Sequence, residues 1–85
     1  MPYILIYSQR ALRDLKALNP NDHKRIILAL EGITKEPFNS IRKLEDSPLF
    51  SFRVGDYRIL LDVRRQALVI LIIGIGHRRN IYHRV

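Results

Sequence analysis

Apolar and polar positions change their period several times along this chain, and each change marks an element. Tyr3-Ile-Leu-Ile-Tyr7 is a short run of β-forming residues and predicts a strand. Ser8 stands where a helix N-cap is expected. Ala11, Leu12, Leu15 and Leu18 then recur at helical spacing, which predicts a helix from Gln9 to Leu18. Asn19-Pro20 restarts the chain, with Asn as cap and Pro at the first helical position. Ile26, Ile27, Leu30 and Ile33 form the stripe of a second helix that reaches Thr34, and Glu36-Pro37 ends it.

Phe38 to Pro48 reads as a connector, and three strands follow. Phe50 to Val54 runs into the turn signal Gly55-Asp56. In Tyr57 to Val63, alternation sends Tyr57, Ile59, Leu61 and Val63 to one face and Arg58, Leu60 and Asp62 to the other. Arg64-Arg65-Gln66 makes the next turn. Leu68 to Ile75 is apolar at every position but Gly74, so both of its faces require cover. The expected fold class is α+β with the order β-α-α-β-β-β. Two N-terminal helices pack on one face of a four-stranded, mainly antiparallel twisted sheet. The second face of the last strand is left for a loop or a partner.

Length and composition narrow the function. Residues 1–85 form a single domain, since a chain this short has no room for two. Cysteine is absent, which excludes disulfides, thiolate chemistry and Cys-based zinc sites and fits a cytoplasmic protein. Met1 to Tyr7 has no basic n-region of a signal peptide. The apolar run around Leu71 falls far short of the roughly 20 residues of a membrane helix, so no membrane span is expected. The three histidines lack a spaced carboxylate or cysteine set. No metal and no other cofactor is expected, and no phosphate-cradling glycine loop, Ser–His–Asp set or carboxylate pair stands out.

Charge adds more. The chain carries a net charge of +7. Residues 1–40 hold six basic and four acidic residues, residues 41–85 nine and four, so most of the excess lies in the second half. Eight of those nine basic residues are arginines, with Lys43 the exception. The planar fork of arginine suits bidentate contact with phosphate. An anionic partner is implied: nucleic acid first, an acidic protein segment second, an anionic membrane third. A surface charged only for solubility is the plain alternative.

Three stretches carry the candidate chemistry: Arg53-Val-Gly-Asp-Tyr-Arg58, Gly76-His-Arg-Arg79 and Tyr82-His-Arg84. If the last two strands are antiparallel neighbours, Arg58 begins one and Arg78 ends the other, and both lie at the same end of the sheet. Two arginines there could clamp one phosphate, with Tyr82 placed to stack on a base or move a proton. His77 and His83 are candidate proton carriers. Each residue also has a structural explanation: a salt bridge from Arg58 to Asp62, a solvated strand end at Arg78 and Arg79, Tyr82 as a core anchor, and surface histidines at 77 and 83.

Taken together, these stretches resemble the RelE/ParE toxin superfamily of type II toxin–antitoxin modules, over almost the whole chain. Ser8 to Leu15 resembles the family's first helix. Leu44 with Phe52-Arg-Val-Gly-Asp-Tyr-Arg-Ile-Leu60 resembles its central segment, and Ile73 to Tyr82 its closing motif. The resemblance implies two activities on one fold. RelE-like members are mRNA interferases that cut mRNA on the ribosome without a metal, inhibiting translation, and ParE-like members inhibit DNA gyrase. It assigns Arg58 and Arg78 as catalytic arginines and Tyr82 as the residue that orients the nucleotide. His77 or His83 would carry protons, and Arg53, Arg79, Arg84 and Lys43 would contact RNA. It also implies a cognate antitoxin, in a complex that could be a heterotetramer, and the ribosome and mRNA as further partners. The lysines common on the strand before the Tyr-Arg segment have no counterpart in Leu49-Phe-Ser-Phe52. Three readings therefore stay open: endoribonuclease, gyrase inhibitor, and a catalytically inactive binding protein of the same fold.

Overall fold

The computed structural model describes residues 2–77. The elements are β1 (Ile4–Tyr7), α1 (Gln9–Lys16), α2 (Pro20–Gly32), a 3-10 turn at Pro37–Asn39, β2 (Arg42–Lys43), β3 (Phe50–Val54), β4 (Tyr57–Arg64) and β5 (Val69–His77). The sheet has five strands in the order β1-β5-β4-β3-β2. β1 runs parallel to β5 and every other pair is antiparallel. The expected α+β class and element order therefore hold, with one correction: the sheet has five strands, not four. The added strand lies in the predicted connector, where Arg42 pairs with Ser51 and Lys43 with Phe50. Two residues are too few to show a period in sequence. Arg78, Arg79, Tyr82, His83 and Arg84 lie outside the described residues.

Both helices start where the sequence places them. Asn19 Oδ1 accepts a hydrogen bond from the Asp22 amide at 2.9 Å, and Pro20 follows at the first helical position. Asp22 adds a negative charge to the first turn of α2, where the helix dipole favours it. The core joins Ala11 and Leu15 of α1, Ile26 and Leu30 of α2 and the following Ile33 to Phe52, Val54, Ile59, Leu61, Ile70, Ile72 and Ile75. Leu12 departs from the predicted stripe: it is 48% exposed. α1 has only eight residues and turns just Ala11 and Leu15 fully inward.

β5 holds the arrangement together. Leu60 pairs with Gly74 but Leu61 with Ile72, so Ile73 is an extra residue, a β-bulge. The bulge shifts the inward phase of β5, and its buried hydrophobic side chains run Ile70, Ile72, then Ile75. β1 ends opposite Ile72, whereas β5 continues to His77. α1 takes over that edge. The Ser8 amide donates to the Ile72 carbonyl at 3.0 Å and Ser8 Oγ donates to the Ile73 carbonyl at 2.7 Å. The Ile75 amide donates to Asp14 Oδ2 at 2.9 Å. Gly74 lets Arg10 pack close to the strand, since a Cβ would stand 3.0 Å from Arg10 Nε.

The face of the sheet away from the helices is open at β1 and closed at its centre, where Leu60 and Ser51 are buried. Ile4 and Ile6 of β1 are 63% and 47% exposed, while Val69, Leu71 and Ile73 of β5 are half-buried. The last strand is thus covered fully on one face and only partly on the other.

Ser8 Oγ also accepts from the Ala11 amide at 3.0 Å, so one hydroxyl caps α1 and ties it to β5. Ser8→Ala should lower stability by about 1–2 kcal/mol, read as a lower denaturant midpoint with an unchanged slope. Ser8→Thr should retain most of it.

Candidate anion-binding face

The alternation predicted for β4 is the one observed. Tyr57, Ile59, Leu61 and Val63 pack toward the helices, so Arg58, Leu60 and Asp62 face the other way. Arg58 lies directly opposite Arg53 on β3 and opposite Gly76 on β5. Ser51, two residues before Arg53, shares its face and is paired with Arg42 on β2. Three adjacent strands, spaced about 4.8 Å apart, thus deliver Arg42, Arg53 and Arg58 to one surface. They line a concavity of about 190 Å³ together with Ser40 and Ser51.

Local structure fixes these side chains. The β3–β4 turn is tight, with Gly55 at φ +59°, and a Cβ there would come within 2.9 Å of the Arg25 guanidinium. Arg53 Nε donates to the Gly55 carbonyl at 3.1 Å, which anchors its fork beside the turn. Arg58 is half-buried and Ser51 is 3% exposed. Asp62 is engaged by Arg64, with Nη2 to Oδ2 at 2.9 Å, in place of the salt bridge considered for Arg58. Arg53 and Arg58 are direct cross-strand partners, so two guanidinium-bearing side chains leave the sheet side by side on this face.

The start of β4 is held from the helix side. Tyr57 Oη donates to Asp22 Oδ2 at 2.9 Å, and Asn19 Nδ2 donates to the same oxygen at 3.0 Å. The Tyr57 phenol is pushed above its ordinary value of 10.0, first by that hydrogen bond, then by burial, then by the charges of Asp22 and Asp56. His77 pairs with Tyr57, and their rings meet edge to face at 6.1 Å between centroids.

These positions sort the predicted site residues. Arg53 and Arg58 come together. His77 packs on the helix side with Tyr57 and is not brought to Arg58. Lys43 alternates away from Arg42, and its ammonium donates to the carbonyls of Leu44 and Ser47 in its own loop. Arg78, Arg79, Tyr82, His83 and Arg84 follow directly on a strand whose end lies beside Arg58, outside the described residues. Sequence reasoning missed Arg42, Ser40 and Ser51. Only the two-residue pairing of β2 with β3 shows that Arg42 shares the face of Arg58. Among the described residues, no group of three or more His, Cys, Asp and Glu side chains could hold a metal ion, and no helix is long and apolar enough to cross a membrane.

Two helices on one face of a five-stranded sheet, with arginines gathered on the other, define a small basic α+β domain. Its relatives are toxins. Residues 5–82 match the family described as the ParE toxin of the type II toxin–antitoxin system parDE. Toxin RelG of Mycobacterium tuberculosis is 31% identical over 87 residues, covering 99% of this chain and all of that protein. A chain of the RelBE2 toxin–antitoxin complex of Mycobacterium tuberculosis superposes with a TM-score of 0.82 at 27% identity, covering 92% of this chain and 100% of that one. A chain of the archaeal RelE–RelB complex from Pyrococcus horikoshii gives 0.80 at 24% identity, covering 94% and 99%, a likeness of fold. The chain belongs to the RelE/ParE superfamily of toxins from type II toxin–antitoxin systems.

A phenol whose pKa is raised holds its proton more tightly in the folded chain. Its stabilisation is complete below pH 10.0 and is lost as pH rises through the folded value. Tyr7 is shifted the same way by burial and by Glu31, so the alkaline decline has two sources. Tyr57→Phe should cost about 1 kcal/mol at neutral pH and make the alkaline decline shallower without removing it. Denaturation across the alkaline range measures both effects.

Proposed function

We propose that this toxin is a ribosome-dependent mRNA endoribonuclease that inhibits translation by metal-independent attack of a ribose 2′-OH on the adjacent phosphate. The convergence of Arg58 and Arg53 on the open face carries this reading. In the reaction the 2′-oxygen–phosphorus bond forms and the bond from phosphorus to the 5′-oxygen breaks. A proton leaves the 2′-OH and a proton reaches the departing 5′-oxygen. Negative charge grows on the phosphoryl oxygens in between, and preorganised guanidinium donors stabilise it without reorganising. Arg58, held at the start of the central strand β4 by the Tyr57–Asp22 anchor one residue away, supplies that charge. Arg78 joins it from the chain that follows β5, Tyr82 orients the nucleotide, and Arg53, Arg79 and Arg84 hold the strand. His83 is the proton carrier assigned to this motif. His77, placed against Tyr57 on the helix side, is not given that role, and Lys43 is left to its loop.

The partner is a cognate antitoxin, as in the toxin–antitoxin complexes that this fold resembles. An acidic segment would neutralise the arginine concavity, and apolar residues would cover Ile4 and Ile6, which are exposed on the same side of the sheet. A second reading, inhibition of gyrase by docking, draws on one observation: the open face of β3 presents Ser51 and Arg53 and no lysine to take a proton.

Primer extension on mRNA in programmed ribosomes separates the two. Discrete cuts should appear with the wild type and fall by about 10²–10³ in Arg58→Ala, with comparable losses in Arg78→Ala and smaller ones in Tyr82→Phe. Intact mRNA under a wild type that still arrests growth, with supercoiling lost, would transfer the assignment to gyrase.

A further inference from the structure

We propose that Arg42 binds a second phosphodiester of the RNA strand, next to the one at Arg58. Arg42, Ser51, Ser40 and Arg53 together form that subsite. The proposal rests on RNA being the substrate and names a contact that the sequence motifs do not contain. Four observations carry it. Arg42 is paired with Ser51 and therefore shares the face of Arg53 and Arg58. The surface between them is concave and its walls are arginines and serines, with hydroxyls small enough to leave room for an oxyanion. Arg42 is exposed, and its guanidinium makes no ion pair or hydrogen bond among the described residues. Arg53 is anchored through Nε, which leaves its two terminal nitrogens for another acceptor.

The spacing favours two phosphates over one. Arg42 lies two strands from Arg58, on the order of 10 Å across the sheet, and one same-face row away along β3, roughly 7 Å. Arg53 stands between them and bridges both sites. A single phosphate clamped by Arg58 leaves Arg42 a full row short of it. A strand of RNA crossing the open face toward β2 meets both forks in turn, and bidentate phosphate contact is what guanidinium geometry supplies best.

Fluorescence anisotropy with a short 2′-deoxy-substituted RNA, which cannot be cut, tests the subsite across a series of salt concentrations. Arg42→Ala should bind about tenfold more weakly at low salt, and its log K against log salt slope should be shallower by about 0.7, the loss of one single-strand phosphate contact. Arg42→Lys should recover the slope. Lys24→Ala, which removes an exposed charge from α2 on the other side of the sheet, should leave the slope unchanged. Equal slopes for wild type and Arg42→Ala overturn the proposal, as does an equal loss in Lys24→Ala. A loss in Arg42→Ala confined to a polyglutamate probe assigns the concavity to an acidic protein and also overturns it. A wild type that cuts no mRNA on ribosomes but shows the Arg42-dependent slope removes the nuclease reading and leaves this contact standing.

Discussion

The β4–β5 ladder is the constraint on which the rest depends. Its register runs from Arg64 opposite Val69 to Tyr57 opposite His77, and one extra residue, Ile73, lies within it. That residue decides which side chains of β5 enter the core. It lies where β1 ends and α1 begins, so the backbone groups of β5 that lose a strand partner gain Ser8 and Asp14. An unpartnered buried amide or carbonyl would cost about 1–3 kcal/mol. The loop and helix after β1 are therefore part of the sheet's hydrogen bonding.

The same ladder separates structural work from chemical work. Along β4, odd positions from Tyr57 to Val63 go to the core and Arg58 goes to the open face. A one-residue slip would exchange them. Tyr57, fixed by Asp22, prevents that slip at the end where it matters most, because its neighbour is Arg58. The pairing that sets Arg53 opposite Arg58 thus lies on one side of the sheet and the core on the other.

Much of this was legible in the residues. Ser8 and Asn19 announced both helix starts, and Ile26, Leu30 and Ile33 announced the inner face of α2. Alternation in Tyr57–Val63 placed Arg58 correctly. What escaped sequence reading depends on contacts distant along the chain. Arg42-Lys43 is a strand only because Phe50 and Ser51 pair with it. Leu12 has the right spacing for a core residue, but α1 is too short to bury a wide stripe. The bulge at Ile73 is hidden in a run where every residue is apolar, so no phase shift shows. His77 has the composition of a site residue, and its face was settled by pairing with Tyr57.

The two-residue length of β2 has a consequence for how the surface moves. A strand tied by so few ladder bonds, at the outer edge of the sheet, belongs to the part of a fold that opens at the smallest free energy. β3, β4 and β5 hold the core and have no need to follow it. Of the strands that form the arginine face, β2 is thus the one expected to lose its protection against hydrogen exchange first, ahead of β3 and β4.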